Sequence, residues 1–141
     1  MGMENAVTGK LAGGCLCGAV RYAITAAPLD SGYCHCRICQ RNTGAPAVAY
    51  AEIPVEGFAF TAGAPKVYRS SANGLRHFCG DCGTPLSFRA RQAPRTVAVN
   101  LASLDDPAAV PPRRHIWTGS RIPWFEIADD LPRHADEPPL E

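Results

Sequence analysis

Long apolar runs are missing from this sequence: no stretch approaches a membrane span, and the N-terminal MGMENAVTGKLAGG lacks the hydrophobic centre of a secretory signal. Charge is scarce as well. Only 19% of the residues are charged and the formal net charge is +1, with no basic or acidic block, which argues against nucleic acid, a membrane surface or a basic partner. Holding two divalent ions on seven thiolates would turn the balance negative and disfavour DNA further. Sustained helical periodicity is the third absence. No window keeps a 3.6-residue apolar period over three turns, and 13 glycines and 13 prolines interrupt the chain too often for long helices. With 141 residues and 46% hydrophobic content, one cytoplasmic domain with its own core is the expectation.

What is present is a succession of short segments rich in β-branched and aromatic residues between turn formers. AVRYAI, AVAYAEI, FAFTAG, KVYRSS, LRHFC, PLSFR, TVAVNL and RHIWTG each read as a strand or part of one, so the fold class predicted is all-β. Short helical turns are expected in RICQRNTG and in NLASLDD, where Asn100 or Ser103 can cap. Residues 1–12 are expected to be a flexible N-terminus, 13–132 the domain and 133–141 a loosely held tail. DDPAAVPPRR reads as a surface loop, whereas HIWTGSRIPWFEI carries both tryptophans and should pack back on the domain.

Cysteine is abundant and grouped: Cys15 and Cys17, then Cys34, Cys36 and Cys39, then Cys79 and Cys82. Seven is an odd number, and a reducing compartment reserves thiols for metals or chemistry. Zinc takes four ligands in a tetrahedron, and the CxxC turn in CGDCGT is a strong half-site, with Gly80 and Gly83 where the backbone must curl. Cys15 and Cys17 supply two alternate side chains on an extended stretch and complete a closed, structural site. The remaining three are close enough in sequence to share a second ion. Its fourth position is either open, as in catalytic zinc sites, or filled by His77 or His35. His35 is the poorer candidate, because alternation turns its ring away from its neighbours' sulfurs.

Three thiolates make a zinc ion a weak electrophile but a good holder of an added thiol, which coordination would deprotonate. Arg37 and Arg41 can bind carboxylates of a thiol substrate, offset the cluster's charge, or stand as solvated surface groups. Trp117, Trp124 and Phe125 are read as core rather than pocket lining. Asp129 and Asp130 are read as a turn or cap, and His115 and His134 have no evident partner.

The motifs GGCLCGAVRY, YCHCRICQRNTGA, FCGDCGTPLSF and HIWTGSRIPWFEI, in this order and spacing, resemble the glutathione-dependent formaldehyde-activating enzyme (GFA) family, which also includes centromere protein V. The resemblance runs from Gly13 to Pro132. It implies a single zinc-stabilised domain of small packed antiparallel sheets, with two zinc ions per chain. One lies on Cys15, Cys17, Cys79 and Cys82, and the other on Cys34, Cys36 and Cys39 with an open position for a substrate thiol such as glutathione. The implied activity is that of a carbon–sulfur lyase handling S-(hydroxymethyl)glutathione. The alternatives are a non-enzymatic zinc module that binds a protein partner, a redox enzyme related to zinc-binding methionine sulfoxide reductases, and an iron–sulfur protein.

Overall fold

The computed structural model describes residues 10–137. Its strands are β1 (Leu11–Gly14), β2 (Arg21–Ile24), β3 (Asp30–Cys34), β4 (Val48–Pro54), β5 (Phe58–Ala62), β6 (Lys66–Ser71), β7 (Gly74–Phe78), β8 (Pro85–Ala90), β9 (Thr96–Asn100) and β10 (His115–Ile116). Among the described residues one short α-helix, α1 (Arg37–Thr43), follows β3. The fold is all-β, in two sheets. One has the order β1-β2-β5 and the other β10-β3-β4-β9-β8-β7-β6. Among these strands every pairing is antiparallel except β10 on β3, a two-residue parallel contact.

The core forms because inward positions recur every second residue. In β9, Val97 and Val99 are buried while Thr96, Ala98 and Asn100 are half-exposed, and in β2 Tyr22 and Ile24 alternate with Arg21 and Ala23. These side chains join Ile53, Leu86, Leu101, Leu104 and Val110 in one cluster between the sheets. Tyr22 keeps its hydroxyl paired there, 2.6 Å from Ser103 Oγ. Gly13 makes room for that ring: a Cβ on it would stand 2.4 Å from the Tyr22 hydroxyl.

The helical turn expected after the second cysteine group is α1, which ends at Gly44 with φ 75°. NLASLDD forms a 3-10 turn at Leu101–Ser103 without a side-chain cap. Asn100 instead donates to the Pro85 carbonyl, and the Ser103 hydroxyl donates to the Asn100 carbonyl.

At the termini the chain departs from the expected boundaries. Leu11 and Ala12 already pair with Ile24 and Ala23 in β2, and residues 1–9 lie outside the described ones. From Pro132 to Asp136 the chain runs beside β10 and beyond it. It is held by backbone hydrogen bonds between the two segments, among them His115 N–H to Pro132 O at 2.8 Å and His134 N–H to His115 O at 2.9 Å. A loosely held tail was expected from residue 133 on, but these bonds tie residues 133–136 to the chain around β10. Residues 138–141 lie outside the described ones.

Candidate metal centres

The first group forms where the two sheets meet. Cys15 and Cys17 leave the end of β1, while Cys79 and Cys82 occupy the β7–β8 turn. Their four sulfurs lie within 4.8 Å of one another, with Cys15–Cys17 at 3.6 Å and Cys17–Cys79 at 3.8 Å. A tetrahedron with metal–sulfur bonds of about 2.3 Å has edges of about 3.8 Å, so the donor set fits a zinc-sized ion. Both turns are glycine turns. Gly18 (φ 82°) donates to Cys15 O and Gly83 (φ 83°) to Cys79 O, and a side chain at either would be strained.

Backbone N–H groups aim at the sulfurs. Val20 donates to Cys15 at 3.2 Å and lowers its pKa, and Asp81 and Cys82 donate to Cys79. The Thr84 hydroxyl stands 3.2 Å from Cys82, and with the Thr84 backbone it brings that thiol down to about 5. Thr84 Oγ1 also accepts from Leu16 N–H, fastening the two turns together. Cys17 goes the other way. A backbone bond at Ala19 favours its thiolate, yet the shared proton with Cys15 pushes it up to about 12. Four sulfurs this close cannot all ionise by themselves; a divalent cation removes the conflict.

The second group stands on the β3–α1 junction. Cys34 ends β3, and Cys36 caps α1 with its sulfur, accepting Cys39 N–H at 3.2 Å. Cys39 Sγ lies 3.4 Å from Cys34 Sγ, and all three sulfurs fall within 4.8 Å. Bonds from Cys34 and Cys39 bring the Cys36 thiol down to about 2, and the same sharing, with burial, pushes Cys34 up. Ile116 and Tyr50 pack against the group. Among the described residues, no fourth cysteine, histidine or carboxylate ligand atom joins it. His77 lies instead against Phe60, 5.5 Å between ring centres. Glu137 is near enough to Cys36 to interact electrostatically, and its carboxyl accepts a hydrogen bond from Trp117.

His35, fully buried, sends its ring to a different place. Its Nε2 lies 2.9 Å from His115 Nδ1, and His115 Nε2 lies 3.0 and 3.1 Å from the two oxygens of Asp129. The carboxylate orients the chain: His115 donates to it through Nε2, so His115 Nδ1 accepts from His35 Nε2. His35 Nδ1 is left as a buried lone pair without a partner. Burial and the neighbouring His115 push His35 below the usual imidazole range.

Sequence reasoning missed this His–His–Asp chain, since its first link joins residues 80 apart and its second residues 14 apart. The sole sequence signal was that His115 opens an apolar strand-like run. Asp129 also accepts Leu131 N–H, which is the turn role expected of it.

Arg37 lies on α1 and donates to Gln40 Oε1 at 2.6 Å, while the Gln40 amide donates to His35 O and Ser120 O. Arg41, in the last turn of α1, is exposed. The aromatic residues read as core are not core. Trp124 is 72% and Trp117 37% exposed, and Phe125 is half-buried, 6.1 Å from His35. Their segment is fastened by polar means: Arg121 donates to the carbonyls of Ile122, Pro123 and Phe125. Trp117 itself adopts φ 58°, rare for a bulky side chain.

Residues 10–120 match the family model described as glutathione-dependent formaldehyde-activating enzyme. A relative from Halomonas elongata, provisionally named a glutathione-dependent formaldehyde-activating enzyme, is 30% identical over 129 residues, 83% of this chain and 80% of its own. The crystal structure of a Rhodobacter sphaeroides protein superposes with a TM-score of 0.55 at 29% identity, covering 72% of this chain and 92% of that one. With the cysteine groups assembled as described, this chain belongs to the glutathione-dependent formaldehyde-activating enzyme family.

Proposed function

We propose that this protein is a zinc-dependent enzyme of the carbon–sulfur lyase type that makes or breaks the adduct of a glutathione-type thiol with formaldehyde or a related aldehyde. The observation that carries the reading is the unequal division of sulfur: four cysteines in one group and three in the other, with no fourth protein ligand atom among the described residues. In this reading Cys15, Cys17, Cys79 and Cys82 hold a structural zinc. Cys34, Cys36 and Cys39 hold a second with one position open, giving two ions per chain. When bound there, zinc supplies activation of the thiol, which loses its proton on joining three thiolates yet remains a nucleophile at neutral pH.

The chain's own residues supply position. Cys39 N–H steadies the Cys36 sulfur, and Gln40, braced by Arg37, fixes the loop through His35 O and Ser120 O. The exposed guanidinium of Arg41 binds a carboxylate of the thiol substrate, with the remaining N–H groups of Arg37 as a second contact. The thiol proton passes to solvent. Attack of sulfur on the aldehyde carbon forms the C–S bond, and the resulting alkoxide takes a proton from solvent. The reverse sequence breaks the adduct. No helix among the described residues is long and apolar enough to cross a membrane. The proposal sets the enzyme in the cytoplasm, where thiols stay reduced.

The test is exchange NMR on an equilibrium mixture of glutathione, formaldehyde and their adduct. Catalytic amounts of the zinc-loaded protein should accelerate interconversion, and Cys36→Ser should abolish the effect while keeping one zinc and the fold. Two bound zinc ions without glutathione binding or acceleration would overturn the reading in favour of a protein-binding zinc module.

A further inference from the structure

A second recess opens between the sheets, lined by none of the cysteines. Val55, Phe58, Ala59 and Phe60 form one wall, and Val97 with His77, Ser87 and Arg89 forms the other, around a half-open cavity of about 240 Å³. His77 on β7 and Ser87 on β8 are direct cross-strand partners. Arg89, two residues along β8 from Ser87, shares its face.

Two features of this wall are unexplained by folding. His77 Nδ1 and Ser87 Oγ are buried without any hydrogen-bond partner, in residues only 9% and 5% exposed. Buried polar atoms are nearly always paired, so two orphans on adjacent strands beside one cavity mark a place where something else supplies the bonds. The half-buried Arg89 guanidinium beside them is within ion-pair distance of no acidic group among the described residues. A hydroxyl, an imidazole and a guanidinium can all donate, so the missing partner is an acceptor, and the guanidinium makes it an anion. The remaining lining, Val55, Phe58, Phe60 and Val97, is apolar and partly aromatic.

We propose that this recess is a binding site for a small monocarboxylate with a compact apolar body, the carboxylate lying against Arg89, Ser87 and His77 and the body against Phe58, Phe60 and Val97. Size limits the ligand. A cavity of about 150 Å³ accommodates benzene, so this one holds on the order of ten non-hydrogen atoms. That is too few for a tripeptide-sized thiol, so the site is distinct from the one used by the thiol of the proposed reaction.

The test uses benzoate as probe and benzamide as its neutral counterpart, titrated into the zinc-loaded full chain and followed by amide NMR. Benzoate should bind with a Kd on the order of 1 mM, as expected for so few atoms, and shift the resonances of His77, Ser87, Arg89 and Val97. Benzamide should bind at least about tenfold more weakly, and Arg89→Gln should weaken benzoate by a similar factor. Ser87→Ala, which changes one atom of a buried side chain, should weaken benzoate a few-fold with the fold intact. Equal binding of benzoate and benzamide, insensitivity to Arg89→Gln, or shifts centred on Cys34–Cys39 would each overturn the proposal. So would no binding at all, which would leave the orphan atoms to ordered water.

Discussion

Replacing one cysteine in each group with serine should expose different debts of the fold. Cys82→Ser opens a cross-link between chain segments 62 residues apart, the separation of Cys17 and Cys79. Treated as a loop closure, a link of that span contributes about 4 kcal/mol by restricting the unfolded chain. Cys36→Ser opens a link between residues 5 apart, Cys34 and Cys39, for which the same relation gives about 2 kcal/mol. Cys82 also carries a contact that Cys36 lacks, because its neighbour Thr84 joins the two turns and with them the two sheets. For a domain of this length each kcal/mol moves the thermal midpoint by about 3 °C, so Cys82→Ser should lower it by about 12 °C and Cys36→Ser by about 6 °C. Circular dichroism melts in zinc-saturated buffer, with zinc per chain measured alongside, decide it. A Cys82→Ser protein as stable as wild type, or less affected than Cys36→Ser, would refute the assignment of the four-cysteine group as the structural one.

Tyr22→Phe should cost about 1 kcal/mol near neutral pH, read from urea midpoints, through the lost bond to Ser103. The same variant has a pH signature. Burial raises the Tyr22 phenol from 10.0 to about 12 in the folded state, so its contribution is intact below pH 10 and is lost as pH rises through about 12. Over that window the wild type should lose up to about 1.4 kcal/mol per pH unit relative to Tyr22→Phe. Ile53→Ala, at a fully buried position, should cost about 3 kcal/mol in the same urea assay. Asp129→Asn should keep both zinc ions and change the imidazole tautomer signature of His115 in nitrogen NMR.

The grouping of the cysteines was largely legible because each cluster is local. CxC, CxCxxC and CxxC spacings dictate which sulfurs share a turn, and Gly18 and Gly83 announce turns that a side chain would strain. The β-character was legible for a similar reason, since alternation in TVAVN or RYAI acts over a few residues. Long-range pairing was not. Nothing near His115 indicates that it will lie beside Tyr33 in a parallel contact, or that residues 132–136 will run along it. Trp117 and Trp124 misled because burial habits describe average indoles, whereas this segment is tied by Arg121 and backbone bonds and leaves its indoles at the surface. The orphan atoms of His77 and Ser87 were invisible for the same reason: a missing partner is a property of the assembled space between strands.

The central claim concerns how many sulfurs surround each zinc, and X-ray absorption on the two-zinc protein measures that number directly. Seven cysteines divided four and three predict a mean of about 3.5 sulfur neighbours per zinc, rising to about 4 when glutathione is added. One zinc per chain, or a coordination number that glutathione leaves unchanged, would contradict the account.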